Sequence, residues 1–367
     1  MNRRFFFLIF LLFPLISIGQ KIQKSELNFG EKLVFYSDRL EAPLEIYIGL
    51  PKNYHNSTID YPVHYVLDGQ IIFNYYYGVA DILTKGEIPE CIMVGIQSVK
   101  RGYYFKPGDG ANEFMEFLLK ELIPYIDSHY RTKDFRLIFG HSTTGAFIIN
   151  TFLNQSDSFD IFFAGAPYHS DLFFQEDLSE KLKNFTRKKY LYAFYGLEDN
   201  ETEKANWDSL ANQINQLEIN NFELINLEYP DEGHYSIIFR YIPNGLKLMF
   251  KDWAYKPLEG KSFSFDDFIQ YQEIQKSIFN VSFEYSEGYF IQNGISLSQQ
   301  DNSETAIELL NYGLEKYPQS DVLHNIIATE YERTGQKELA IQHYKILLEL
   351  KPDLGFVEDK LKELESN

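Results

Sequence analysis

Residues 135–147 read Phe-Arg-Leu-Ile-Phe-Gly-His-Ser-Thr-Thr-Gly-Ala-Phe. The apolar run at the front reads as a buried strand. An apolar helical pattern follows it: Ala146, Phe147, Ile148, Ile149, Phe152 and Leu153. Ser142 stands in the turn between the two. A serine in a sharp strand-to-helix turn has its Oγ pushed out over the sheet edge. The N–H of the next residue, Thr143, then lies at a helix start, where developing negative charge is stabilised. That is the equipment for nucleophilic attack on a carbonyl. The usual pattern has glycine two residues after the serine; here that residue is Thr144, and glycine is delayed to Gly145.

Such a nucleophile needs a base, an acid to orient the base, and a second oxyanion donor. His234 is the candidate base. It sits in the loop Tyr229-Pro230-Asp231-Glu232-Gly233-His234-Tyr235-Ser236, after a strand pattern and before a helical one. The plain alternative is a surface loop histidine. His141 leaves the turn on the other side and is expected to pack beneath it, and His169 is a candidate pocket residue. His55, His64, His129, His324 and His343 have no comparable context. Asp199, three residues after Gly196 at a strand end, is the candidate acid. Glu198 stays open as its rival, and both also suit an ordinary helix start. The second oxyanion donor is the Gln70 N–H, in the turn Asp68-Gly69-Gln70, where Gly69 allows close backbone approach. A plain Asp-Gly turn is the alternative. The chain has one cysteine, no paired-Cys motif, no His-Glu-x-x-His and no phosphate-binding glycine loop, so no metal or cofactor is expected.

These residues need a scaffold that brings strand ends together. Residues 32–38 and 43–50 read as a hairpin at a sheet edge. Further strand patterns occupy 62–67, 91–96, 159–165, 189–195 and 222–228. Helical patterns lie between them at about 72–84, 111–130 and 201–217, and a last one runs to about Trp253. Pro124 is expected to kink the second of these, and a loop is expected over 98–110. Strands alternating with helices imply a mostly parallel sheet covered on both faces.

Beyond about residue 257 strand patterns disappear. Ala306-Ile307-Glu308 and Ala340-Ile341-Gln342 recur 34 residues apart, as do Pro318 and Pro352. That period resembles the tetratricopeptide repeat, with Tyr331 and Gly335 at that family's tyrosine and turn-glycine positions. The first copy keeps Gly294 but has Leu297 in place of the tyrosine. The final helix, 356–364, reads as a polar cap. Expected units are therefore a signal peptide at 1–19, an α/β unit at 28–255 and a helical repeat unit at 262–367.

Met1-Asn2-Arg3-Arg4 precedes an apolar run, Phe5 to Ile18, and Ser17-Ile18-Gly19 suits cleavage before Gln20. Export to the periplasm or medium is expected, an uncleaved anchor being the alternative. Cys91, the single cysteine, cannot form an internal disulfide. A net charge of −19 argues against a nucleic-acid partner, which would want a basic face. No other long apolar stretch suggests a membrane span.

Taken together, Tyr65-Val66-Leu67-Asp68-Gly69, Tyr130-Arg131-Thr132, Gly140-His141-Ser142 and Tyr229 to Ser236 resemble the putative-esterase family. Its members include enterochelin (ferric siderophore) esterases, feruloyl esterases and mycolyltransferases. The resemblance covers about residues 28–253, and one subgroup carries C-terminal tetratricopeptide-like repeats. It implies an α/β-hydrolase fold, Ser142 as nucleophile, an acid at 198–199, His234 as base and an oxyanion hole at Gln70 and Thr143. Two departures bear on substrate. Relatives carry an Arg-x-Arg-Asp-like stretch where this chain has Arg101-Gly102-Tyr103-Tyr104-Phe105, leaving Arg101 as a lone cation. Where relatives have Ser-Pro-Ser and aromatics, this chain has Ala166-Pro167-Tyr168-His169-Ser170-Asp171. Arg101, Tyr168 and His169 are thus candidate substrate-binding residues.

The expected function is an exported serine esterase, acting on a small-molecule ester without a cofactor. Its helical tail would offer a groove for a protein partner or a second copy. The rival reading is a binding or scaffold protein on an inactive hydrolase fold, motivated by Thr144 at a helix–strand crossing that normally wants glycine.

Overall fold

The computed structural model describes residues 30–168, 178, 182, 185–196, 201–257 and 261–366. The signal-like segment, His169, Glu198 and Asp199 lie outside the described residues.

Eight strands form one sheet in the order β1-β2-β4-β3-β5-β6-β7-β8. The hairpin β1 (Glu31–Ser37) and β2 (Ala42–Gly49) forms one edge. β1–β2 and β2–β4 are antiparallel, and every other pair is parallel. Strands β3 (Tyr61–Leu67), β4 (Ile92–Ile96), β6 (Ile161–Gly165) and β7 (Lys189–Gly196) are buried along their whole length. Their nearly continuous apolar runs are what a strand covered on both faces requires. β5 (Thr132–His141) is central, and β8 (Phe222–Tyr229) forms the other edge.

The connecting helices are α1 (Gly69–Leu83), α2 (Arg101–Tyr104), α3 (Asp109–Phe117), α4 (Ile123–His129), α5 (Thr143–Gln155), α6 (Glu201–Gln216) and α7 (Ile238–Met249). Two differ from expectation. The stretch read as a loop over 98–110 holds the short helix α2. The single kinked helix over 111–130 is α3 and α4 joined by a widened π-helical turn, Leu118–Leu122, where the Ile123 N–H bonds to Leu118 O. Pro124 explains it. Its ring would strike the carbonyl four residues back, and the wider turn moves that carbonyl away.

The C-terminal region is all-helical: α8 (Phe265–Phe279), α9 (Glu287–Gln299), α10 (Ser303–Lys316), α11 (Asp321–Arg333), α12 (Lys337–Leu350) and α13 (Gly355–Ser366). Ser264, Ser286 and Ser320 accept N–H bonds at the starts of α8, α9 and α11, as helix caps should. The two stretches that share the 34-residue period fall on α10 and α12.

This helical region docks on the amino ends of the parallel strands. Phe135, early in β5, meets the Phe283 ring edge-on at 5.0 Å, and Phe250 packs against Phe279 and Phe283. Around these rings the seam is stitched by hydrogen bonds. Lys133 Nζ donates to Ser282 O at 2.6 Å, Tyr190 OH to Ile278 O at 3.2 Å, and the Thr58 N–H to Lys316 O at 3.0 Å. Tyr317 OH donates to Glu90 Oε2 at 3.1 Å. Among the described residues, no helix is long and apolar enough to cross a membrane.

Candidate active site

Ser142 follows the last residue of β5 and caps α5, with φ 62° and ψ −122°. A non-glycine residue in this region is strained by roughly 1–3 kcal/mol, a cost seen mainly at functional positions. The strain is held by its neighbours. The Ser142 N–H donates to Gly165 O at 2.8 Å, and the Tyr168 N–H donates to Ser142 O at 3.1 Å. The latter bond brings the candidate pocket residue Tyr168, partly exposed, against the turn.

The close crossing behind the serine uses Gly140 and Gly145, not position 144. A methyl on Gly145 would lie 2.7 Å from Gly165 O, and one on Gly140 would lie 2.4 Å from Thr144 O. The delayed glycine is therefore where the crossing needs it. Thr144 is fully buried and hydrogen-bonded. Its Oγ1 accepts the His141 N–H at 2.9 Å and lies 2.8 Å from His141 O and 2.9 Å from Asp68 Oδ2. Its single proton is shared between those two acceptors.

Asp68 ends β3 in the left-handed region, φ 56° and ψ 35°. Its N–H donates to Ser98 Oγ at 2.9 Å, and its carbonyl takes the N–H groups of Ile71 and Ile72. Its carboxylate is almost wholly buried and holds Thr144 on one oxygen and the Arg101 guanidinium on the other. A buried carboxylate needs such partners. Arg101 is thus not a lone cation: its charge is already matched by Asp68.

Gln70 turns its side chain back, so that Oε1 accepts the Ser98 N–H at 3.0 Å. Its backbone N–H lies in the first turn of α1, as that of Thr143 lies in the first turn of α5. First-turn N–H groups have no acceptor within their own helix and carry the positive end of its dipole. Gly69 permits this approach, since a methyl there would lie 2.6 Å from Ile96 N.

His141 is buried beneath the turn, as expected, with Nδ1 3.1 Å from Tyr241 OH. The His234 ring lies 4.8 Å from the His141 ring, so the candidate base reaches the residue next to Ser142. Its loop is braced by the Gly233 N–H to Ser236 Oγ bond, 3.0 Å, and by the Arg240–Glu232 ion pair. The structure thus gathers Ser142, Thr143, His234, Gln70, Arg101 and Tyr168 at the carboxyl ends of β3 to β8. Sequence reasoning missed the roles of Asp68, Ser98 and Thr144. The one available signal was an acidic residue ending an otherwise apolar strand.

An apolar stripe borders this cluster. Tyr75 on α1 and Phe239 on α7 meet edge-on at 4.9 Å, and Tyr75 OH donates to Phe239 O. One turn toward the site on each side stand Ile71, next to Gln70, and Tyr235, next to His234, 73% and 79% exposed. One other histidine, His64, has a structural role. His64 is fully buried, stacks on Phe250 and pairs with Tyr76 OH, and burial pushes it down to about 3. Among the described residues no group of three or more His, Cys, Asp or Glu could hold a metal ion.

Solved structures share this arrangement of elements. An IroE-like serine hydrolase from Shewanella oneidensis aligns with a TM-score of 0.68 at 24% identity, covering 77% of this chain and 98% of that one. An uncharacterised protein from Capnocytophaga ochracea aligns over 92% of this chain and 99% of its own, with a TM-score of 0.61 at 17% identity. It therefore matches most of the helical region as well. The uncharacterized protein YjcH of Bacillus subtilis (strain 168) is 25% identical over 179 residues, 46% of this chain and 72% of its own. The sheet and its helices are those of an α/β-hydrolase. The family model described as "Putative esterase" matches residues 37–221, half of the chain and the part that carries the Asp-Gly-Gln turn and the Ser142 elbow, so the chain belongs to the putative-esterase family.

Proposed function

We propose that this protein is an exported serine esterase that hydrolyses a carboxylic ester through an acyl-enzyme on Ser142. The observation that carries this reading is the strained Ser142 turn, which leads into the first turn of α5 and is joined through Thr144 to Asp68 at the start of α1. His234 takes the proton from Ser142 Oγ as that oxygen attacks the ester carbonyl. Charge on the carbonyl oxygen gathers at the Thr143 and Gln70 N–H groups. His234 then hands its proton to the departing alcohol. Water, activated by the same histidine, releases the acyl group. Asp199, with Glu198 as its rival, orients His234; both lie outside the described residues.

The apolar stripe from Tyr75 and Phe239 to Ile71 and Tyr235 receives the ester's apolar side, with Tyr168 and His169 completing the pocket. Arg101, matched by Asp68, shapes this site rather than attracting an anion. The N-terminal segment directs export, and the helical region is a tetratricopeptide-like unit that engages a protein partner or a second copy. Thr144 motivated a scaffold reading, but with the crossing made by Gly145 that motive is gone.

The test is fluorophosphonate labelling together with hydrolysis of p-nitrophenyl butyrate, on the wild type and Ser142→Ala. Labelling mapped to Ser142, with turnover lost in the variant, is the expected result. Equal rates in the two proteins, or a folded wild type that neither labels nor turns over, would sink the proposal.

A further inference from the structure

The geometry points to Thr144 as a positioning residue that sets the oxyanion hole through the Asp68 carboxylate. This rests on the esterase reading above and concerns the same site. An oxyanion hole needs its two N–H donors at a fixed separation, aimed at one point. Here the donors come from different strand ends: Thr143 after β5 and Gln70 after β3. Backbone hydrogen bonds of the sheet hold the strands, but the donors lie beyond Val66 and Phe139, the last residues that β3 and β5 pair with each other. Something past the sheet must fix one turn against the other.

Thr144 does so directly. Thr143 is its chain neighbour, and its hydroxyl reaches Asp68, two residues before Gln70. The path between the donors therefore runs through one hydrogen bond and a few backbone bonds. The same hydroxyl accepts the His141 N–H, which pins it to the nucleophile's own turn. On the far side the Asp68 carboxylate is held by Arg101, and its N–H by Ser98. Asp68 occupies a left-handed conformation that a non-glycine residue keeps only when its surroundings over-determine it. With glycine or valine at position 144 the carboxylate would lose one of its two partners. The oxyanion turn would then be free to drift by fractions of an ångström.

The experiment uses the full chain and four proteins: wild type, Thr144→Val, Thr144→Ser and Asp68→Asn. For each, kcat and KM for p-nitrophenyl butyrate are measured per fluorophosphonate-titrated site. Inhibition by butylboronic acid, which forms a tetrahedral anion on the serine, is measured alongside thermal stability. Thr144→Val is expected to lose about 30–100-fold in kcat, with KM within about twofold of wild type. Its boronate Ki should rise by a similar factor, and Thr144→Ser should recover most of both. A purely structural role would lower the melting temperature or the titratable fraction without moving kcat per site or the boronate Ki. Wild-type kcat and Ki in Thr144→Val, or a Thr144→Ser protein as impaired as Thr144→Val, would overturn the assignment. Should Thr144→Val fail to fold, Asp68→Asn decides: a kcat loss with raised boronate Ki supports it, and wild-type values overturn it. An active wild type with an unaffected Thr144→Val refutes this inference alone. A folded wild type that neither labels nor turns over refutes the esterase reading and this one together.

Discussion

The two ends of the parallel sheet are built on opposite principles. At the carboxyl ends polar groups converge and backbone conformations are strained: Asp68 and Ser142 both have positive φ, and a carboxylate is buried between a guanidinium and a hydroxyl. At the amino ends the same strands present rings, and the helical region closes over Phe135, Phe250, Phe279 and Phe283. About 30 Å of strand separates Lys133, at the base of β5, from Ser142 at its top. One end is costly to assemble and positions chemistry; the other supplies the stability that permits the cost. Substitutions at the two ends should therefore affect different measurements.

The largest effect is expected at the top. His234→Gln should lower kcat for p-nitrophenyl butyrate by about a thousandfold or more while leaving the melting temperature close to wild type. A melting temperature that fell with the activity would erase the division between the ends. Next comes the base. Phe250→Ala removes a fully buried ring and should cost about 3–5 kcal/mol of stability by chemical denaturation, with kcat per titrated site unchanged. Lost activity in the folded variant would mean that the base reaches the site.

Glu90 offers a pH test of the same seam. Burial pushes its carboxyl up to about 7, Glu287 and Asp81 add to the rise, and the Tyr317 hydroxyl donating to it pulls the other way. A raised carboxyl pKa means that the folded protein binds more protons than the unfolded chain between the ordinary value of 4.5 and about 7. Stability is therefore lost as pH rises through that window. Glu90→Gln should stabilise the protein by about 1–3 kcal/mol near pH 8 and by little near pH 5. Denaturation curves at the two pH values check this, and a pH-independent difference would count against it. The smallest effect belongs to the stripe beside the site. Tyr235→Ala should raise KM for aryl esters about three- to tenfold and hardly alter kcat. No change in KM would remove the stripe from the binding surface.

Sequence made the elbow legible because its signals are local. A buried strand, a serine flanked by glycines and a helical pattern lie within nineteen consecutive residues, 135–153. The break at Pro124 was legible for the same reason, although its form, a widened turn, depends on how the helix re-satisfies its carbonyls. The Asp68 cluster was not. It pairs residues 33 and 76 positions apart, and nothing near Asp68 marks which donors will reach it. Thr144 was misread as a crowding defect because the crossing glycine is recognised by position, and here the position moved by one. Docking of the helical region was illegible too: the loss of strand patterns beyond about residue 257 shows that helices follow, not what they cover.

The seam also governs the order in which the chain can become a protein. The base of the sheet stays bare until the segment carrying Phe279 and Phe283 exists and can fold against it. A polypeptide emerging from its N-terminus would thus hold this aromatic surface uncovered through most of its synthesis, the stage at which partly folded chains aggregate. The first 255 residues should then be a poor independent folding unit, despite containing every proposed catalytic group. Calorimetry of the whole chain should show one cooperative transition rather than two.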